Sequence, residues 1–418
     1  MNRRTENSHP DTDSSAHAFG EFIQQADHRE QFVREIQPLL ERDPRIAVDT
    51  EFIRERTYAP VLEIVQIAVV GESGVRVALL DIPALNGDFG SLGELLRNPA
   101  YLKIVHAGSQ DVELLTTYLG GFPENLFDTQ VAAAFIGQSL QTGYGALVQA
   151  MLGVTLSKDE GFADWSRRPL TAAMREYAEN DVRYLHALHD RLRHLLEKRG
   201  RLDWAQEQTD QSLRQAAENV PQEELWRQVR GRHVLTGRGL AILRELAIWR
   251  DEEAKRRDKP RRSVLKDDIL VEIARRRTDT ASKVLGLRGA PPNLGERAAE
   301  ALAAQVRRGM EADKNHLPEP EMTISLTEQE SALVELLSAV VRARAAQEYL
   351  PPSLLAGSDE LRMLAASVSG KCNQPASLFT GWRGTLIGED LHAVLNGEYA
   401  ARWDPKKRTL VVTAVPPA

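Results

Sequence analysis

Short runs of β-branched residues crowd into the first quarter of this chain, and almost everything after them has helical spacing. Ile46-Ala47-Val48, Ile64 to Val70, Val75 to Leu80 and Ile104-Val105 are apolar runs bounded by Gly and Pro, and they read as strands. Apolar residues recur at helical spacing over 22–40, 91–97, 109–119 and 145–151. A longer helix is expected over 171–198, with Thr171 as its N-cap just after Pro169. Strands with short connections, then alternating strand and helix, predict a mixed α/β domain over residues 21–200. Beyond Leu202 strand signals fade, so the remainder is predicted all-α. One helical domain is expected over 218–312 and a second over 322–418, with Leu317-Pro318-Glu319-Pro320 as the linker. Arg408 to Val415 is a candidate for a short terminal strand, and the polar residues 1–20 read as a flexible tail.

Composition narrows the function classes. A chain of 418 residues with 42% hydrophobic and 27% charged residues is an ordinary globular protein of several domains. No apolar window reaches the ~18 residues of a membrane span, and the first twenty residues lack the apolar core of a secretion signal. The single cysteine, Cys372, excludes internal disulfides and CxxC zinc sites and fits a reducing, cytoplasmic setting. The net charge of −7 hides an asymmetry. Residues 227–308 hold 21 Lys+Arg against 11 Asp+Glu, a balance of +10, so the rest holds 32 against 49, a balance of −17. Local fields decide whether a polyanion docks, so an acidic body with a basic middle is compatible with nucleic-acid binding.

The chain has no P-loop, HExxH helix, GxSxG elbow or EF-hand loop. Three fragments remain. In Val48-Asp49-Thr50-Glu51-Phe52 the two acids are i and i+2 on a strand and share a face. Carboxylates about 6 Å apart repel by about 3 kcal/mol at an effective dielectric near ~20, which a divalent cation would relieve. A solvated strand end is the blander explanation and wins for an isolated pair. The second fragment, His106-Ala107-Gly108-Ser109-Gln110-Asp111, ends a strand and opens a helix. Asp111 could be a ligand or simply a first-turn acid favoured by the helix dipole. In the third, Tyr177 and Asp181 are i, i+4 on one helical face, where a core tyrosine beside a surface acid is the default.

Taken together the fragments gain specificity. The order DxE, D, Yx3D resembles the tyrosine-containing branch of the DEDD exonuclease superfamily. Arg56-Thr57-Tyr58, Gln66, His106-Ala107-Gly108-Ser109, Asp128-Thr129-Gln130, Asp164-Trp165, Arg168-Pro169-Leu170 and Tyr177-Ala178 sharpen the likeness to the bacterial ribonuclease D family. Leu246-Ala247-Ile248-Trp249-Arg250, Asp258-Lys259-Pro260 and Val264 resemble an HRDC domain, a helical module often used on nucleic acid. Ser377-Leu378 with Gly381-Trp382-Arg383-Gly384 resembles the family's C-terminal segment, although the strand-like Arg408–Val415 tail departs from it.

The resemblance implies a ribonuclease H-like mixed-sheet exonuclease domain followed by helical HRDC-type domains. It implies two divalent cations, Mg²⁺ or Mn²⁺, held by Asp49, Glu51, Asp111 and Asp181, with Tyr177 orienting the attacking water. The activity implied is 3′→5′ hydrolysis of RNA with a free 3′ end, tRNA precursors above all, by a monomeric enzyme. Gln66, His106, Lys255, Arg256, Arg257, Lys259, Arg261 and Arg262 are the candidate RNA contacts, with Arg275-Arg276-Arg277 extending the basic cluster. Any single one of these bases could equally be a solvated helix face. Two alternatives stay open: a DNA-directed exonuclease of the same superfamily, and a non-catalytic RNA-binding scaffold.

Overall fold

In a computed structural model of the chain, residues 20–156, 161, 163–319 and 324–415 are described. Residues 1–19 of the expected 1–20 tail and the end of the expected linker, Pro320, lie outside them. The first unit runs β1 (Glu21–Ile23), α1 (Ala26–Arg42), β2 (Arg45–Ile53), β3 (Val61–Gly71), β4 (Gly74–Asp81), α2 (Gly90–Arg97), β5 (Leu102–Val105), α3 (Ser109–Leu119), β6 (Leu126–Asp128), α4 (Thr129–Phe135), α5 (Tyr144–Leu152), α6 (Ala172–Arg183), α7 (Leu185–Lys198) and α8 (Leu202–Ala217). The six strands form one sheet in the order β1-β4-β3-β2-β5-β6. β2, β3 and β4 pair antiparallel, whereas β1–β4, β2–β5 and β5–β6 pair parallel, so the sheet is mixed as expected.

Alternation along the strands builds two apolar layers. Ala47, Ile64, Ala68, Val77, Leu79 and Ile104 face one core, with Met174, Ala178, Val182 and Leu185 of α6 and α7. Ile46, Val48, Val65, Ile67, Val69, Ala78 and Leu80 face the other, with Phe32 and Ile36 of α1 and Val112 and Leu115 of α3. Period-2 alternation on strands covered by helices on both sides explains why β3 reads as a nearly continuous apolar run.

Two local expectations are corrected, and two short elements carry no sequence signal. Phe22 lies in β1, not in a helix, because Glu21–Ile23 pairs with Ala78–Leu80 and buries Ile23 completely; helix α1 starts only at Ala26. β6 and α4 are too short, and α4 too rich in alanine, to show a period. The helix expected over 171–198 is two helices broken at Tyr184. Its N-cap is Thr171, whose hydroxyl accepts from Met174 N. The break has a local cause. The Tyr144 hydroxyl donates to Asn180 O (2.8 Å) and accepts from Tyr184 N (3.3 Å), occupying both groups that the i→i−4 bond would have joined.

The basic middle is a helical module with its own core: α9 (Arg238–Arg257), α10 (Arg261–Val264), α11 (Asp267–Arg276), α12 (Ala281–Leu285) and α13 (Glu296–Glu311) close over Leu243, Leu246, Leu270, Ile273, Leu302 and Val306. The last segment holds α14 (Glu328–Glu348), started by a Thr327/Glu330 capping box, then α15 (Pro352–Leu355), α16 (Ser358–Ser367), α17 (Gly381–Arg383) and α18 (Glu389–Leu395). An antiparallel hairpin of β7 (Tyr399–Asp404) and β8 (Thr409–Ala414) follows, placing the strand expected in the 408–415 tail. Leu337, Val341, Leu364 and Trp382 of this segment belong to the same apolar cluster as α4, α6 and α7. Trp382 packs edge-on to Phe135 and stacks on Trp204, and Arg201 joins Glu348 at 2.7 Å. The last segment is therefore fastened to the first unit, whereas the middle module is a core of its own.

Candidate active site

The strand alternation decides where the acids go. Asp49 and Glu51 follow Ala47 on the face of β2 that meets α6, so the α6 acid Asp181 comes down onto them. Carboxylate oxygens of Asp49, Glu51 and Asp181 lie within 4.8 Å of one another. Thr50 points to the opposite face, where its hydroxyl bonds to the carboxylate of Asp111 in the first turn of α3. The β5–α3 turn is held from below by Asp128, which accepts from Ala107 N and Gly108 N, both at 3.0 Å. Ala107 takes a φ of 54°, so this tight turn depends on those bonds. Tyr177 lies one turn before Asp181 on the same face of α6, beside the Asp181 carboxylate.

Burial and mutual repulsion dominate the electrostatics of the four acids. Burial, then repulsion from Asp111, Asp181 and Glu51, pushes Asp49 well above the usual carboxylate range. Burial, then Asp181 and Asp111, pushes Glu51 up to about 9. Burial likewise raises Asp181 to about 7 and Asp111 to about 6, against the neighbouring Tyr177 hydroxyl and the hydrogen bond from Thr50. The Tyr177 phenol is also raised, first by burial and then by Asp181, Glu51 and Asp49, so it stays protonated at neutral pH. Among the described residues no Lys, Arg or His forms an ion pair with any of these four acids. Three carboxylates converge without a protein cation, so the donor set fits a divalent ion such as Mg²⁺ or Mn²⁺. Beside them Glu51, Phe52, Arg54, Arg56, Gly161 and Trp165 line a cleft of about 440 Å³, spanned by the Arg56–Asp164 pair at 2.9 Å.

The other expected RNA-binding residues are placed differently. Gln66 is the cross-strand neighbour of Asp49 and is fully buried, so its amide presents no surface to a polymer. Both of its polar side-chain atoms lack protein partners. His106 has both ring nitrogens engaged inside the protein, with Thr129 Oγ1 at 2.9 Å and Thr142 O at 3.1 Å. In the basic cluster Lys255 and Arg261 pair with Asp251, Arg256 and Arg257 with Glu253, and Arg262 with Asp267. Lys259 is exposed and has no ion pair among the described residues. Charge counting could not see that five of these six bases are paired with Asp251, Glu253 or Asp267.

Sequence reasoning also missed Tyr144 and underused Tyr58. Tyr58, in the β2–β3 connection just past Glu51, ties the middle module to the first unit. Its amide donates to Asp258 (3.0 Å), its hydroxyl donates to Asp251 (2.7 Å) and accepts from Arg261 (3.0 Å).

Fold and acid cluster together define the chain as a 3′–5′ exonuclease that uses divalent cations and carries a helical module of the HRDC kind. The family model for 3′-5′ exonucleases matches residues 21–197, and that for the HRDC domain matches 239–306. The chain is 36% identical to the ribonuclease D of Granulibacter bethesdensis over 381 residues, 90% of this chain and 93% of that one. It is 32% identical to the ribonuclease D of Escherichia coli, over 84% of this chain and 93% of that one. The crystal structure of Escherichia coli RNase D, described as an exoribonuclease involved in structured RNA processing, superposes with a TM-score of 0.79 at 30% identity. That superposition covers 90% of this chain and 99% of the other. The chain belongs to the ribonuclease D family and is a 3′–5′ exoribonuclease of the DEDD superfamily, with RNA as its substrate. No helix among the described residues is long and apolar enough to cross a membrane.

Proposed function

We propose that this exoribonuclease trims the 3′ ends of tRNA precursors and other small structured RNAs, acting as a cytoplasmic monomer. The observation that carries the reading is the convergence of three carboxylates from two elements, within 4.8 Å and without a basic partner, one helical turn from a tyrosine. Asp49, Glu51 and Asp181 would hold one divalent ion; Asp49 and Asp111 would hold a second, with Thr50 fixing the Asp111 carboxylate. When bound, the two ions neutralise the phosphate and favour ionisation of the attacking water.

The chain's own residues do the rest. Tyr177 is held protonated, so its hydroxyl orients the water for in-line attack rather than removing its proton. The water oxygen bonds to phosphorus, the bond from phosphorus to the 3′ oxygen of the preceding nucleotide breaks, and a proton is delivered to that leaving oxygen. A nucleoside 5′-monophosphate and an RNA shorter by one residue result. Gln66, fully buried beside Asp49, presents no surface to RNA. The test is a 5′-labelled RNA with a structured body and a single-stranded 3′ tail, alongside a 3′-phosphate-blocked copy and a DNA copy. A ladder that shortens only from a free 3′ end, only with Mg²⁺ or Mn²⁺, and stalls at the structure supports the reading; equal digestion of the DNA copy removes the RNA-processing role.

A further inference from the structure

We infer that the C-terminal β-hairpin, residues 399–414, is an RNA-binding arm that takes a single-stranded stretch of the substrate upstream of its reacting 3′ end. Between Tyr399 and Ala414 the chain carries Arg402, Lys406, Lys407 and Arg408 against the single acid Asp404. Unlike the bases at the end of α9, none of the four has an ion pair among the described residues. The one acid is spent on the turn, where its carboxylate accepts from Lys406 N (2.9 Å) and Lys407 N (3.1 Å). Arg408 closes the turn at a φ of 51°, where a glycine would fit at no steric cost. The hairpin tip thus holds three adjacent cations beside one acid, a local excess of positive charge facing outward.

Aromatic surface lies beside them. Alternation puts Tyr399, Ala401 and Trp403 on one face of β7. Ala401 and its cross-strand partner Val412 pack against the core, which anchors the hairpin on α14. Trp403, two residues nearer the tip, overhangs that anchor and is 58% exposed; Tyr399 is 37% exposed. A large apolar ring left in water next to cations without ion pairs matches what single-stranded RNA requires: a flat surface for a base and positive charge for its phosphates. An exposed Trp serving only the core would be covered, and one serving a protein interface would sit among fewer unpaired charges.

The inference rests on RNA being the substrate, and the experiment keeps the two apart. The full-length protein and its Trp403→Ala, Trp403→Phe and Lys406→Glu/Lys407→Glu/Arg408→Glu variants are compared on two probes. One is a stem-bearing RNA with a single-stranded 3′ tail; the other is an oligoribonucleotide of a few residues, too short to leave the active site. Thermal melts check that each variant is folded. For the stem-bearing RNA, Trp403→Ala raises KM about tenfold with kcat unchanged, and Trp403→Phe restores most of it. The triple variant also flattens the dependence of log affinity on log salt by about 2, at ~0.7 for each phosphate no longer neutralised. On the short oligoribonucleotide all variants equal the wild type. Unchanged KM and salt slope on the stem-bearing RNA overturn the arm while leaving the exoribonuclease standing; no digestion of either probe by the wild type would instead sink the nuclease reading. If Trp403→Ala leaves RNA binding intact but abolishes a dimer seen by sedimentation, the surface belongs to a second copy of the chain and the inference falls.

Discussion

At the scale of single residues, the site is a set of acids held in mutual repulsion. Replacing Asp181 by Asn removes a ligand and a charge while keeping the side chain's shape, so turnover should fall by at least about 10³-fold, in the range of a lost electrostatic catalytic group. The same variant in chelator should melt no lower than the wild type, because it relieves repulsion. Near-normal turnover would contradict the role given to Asp181. The pH dependence follows from Glu51. Its folded value of about 9 lies above the ~4.3 of an unfolded glutamate, so between those values the folded, metal-free protein holds a proton that the unfolded chain has released. Stability in chelator should therefore rise as pH falls from 9 toward 6, with Asp181 adding below about 7. Glu51→Gln should flatten that rise in scanning fluorimetry, and a flat wild-type profile would count against the mutual repulsion of these unpaired acids.

At the scale of elements, the break between α6 and α7 is the feature with most leverage on the site. Asp181 sits one residue after Asn180, whose carbonyl Tyr144 captures. Tyr144→Phe leaves Asn180 O and Tyr184 N without the hydroxyl that satisfies them, a loss of about 1–3 kcal/mol. We expect a lower melting temperature and a higher metal concentration for half-maximal activity; unchanged metal dependence would mean that the junction does not set Asp181. This break also marks how far the sequence could be read. β2 to β5 were legible because β-branched runs between Gly and Pro have few other solutions, and Asp49, Glu51, Asp111, Tyr177 and Asp181 were legible as an ordered pattern. What stayed hidden depends on partners distant in sequence. The stop at Tyr184 is imposed by Tyr144, forty residues earlier, and β1 exists only because β4 offers an edge. Gln66 and His106 carried the same family signature as the acids, yet burial and internal hydrogen bonds occupy them.

At the scale of the whole molecule, the cleft belongs to the first unit, and the other two segments are joined to that unit in different ways. The exonuclease unit shares a core with the last segment, while the HRDC module has its own core and reaches the site through Tyr58. Asp251, whose side chain is 1% exposed, gathers Tyr58, Lys255 and Arg261. Asp251→Ala leaves that group without its acceptor and should weaken the junction by about 1–3 kcal/mol. Hydrogen exchange in the 54–60 connection should rise, with little change in turnover of a short oligoribonucleotide; unaltered exchange there would show that other residues hold the module. The basic middle therefore serves partly as internal glue.

The central claim is that Asp49, Glu51 and Asp181 hold a divalent cation that the reaction needs. Anomalous diffraction from crystals of the full chain soaked in Mn²⁺ tests it most directly. A peak within ligand distance of these three carboxylates, absent in Asp181→Asn crystals grown alike, is the predicted result. No peak there, from a protein that still digests RNA in Mn²⁺, would contradict the account.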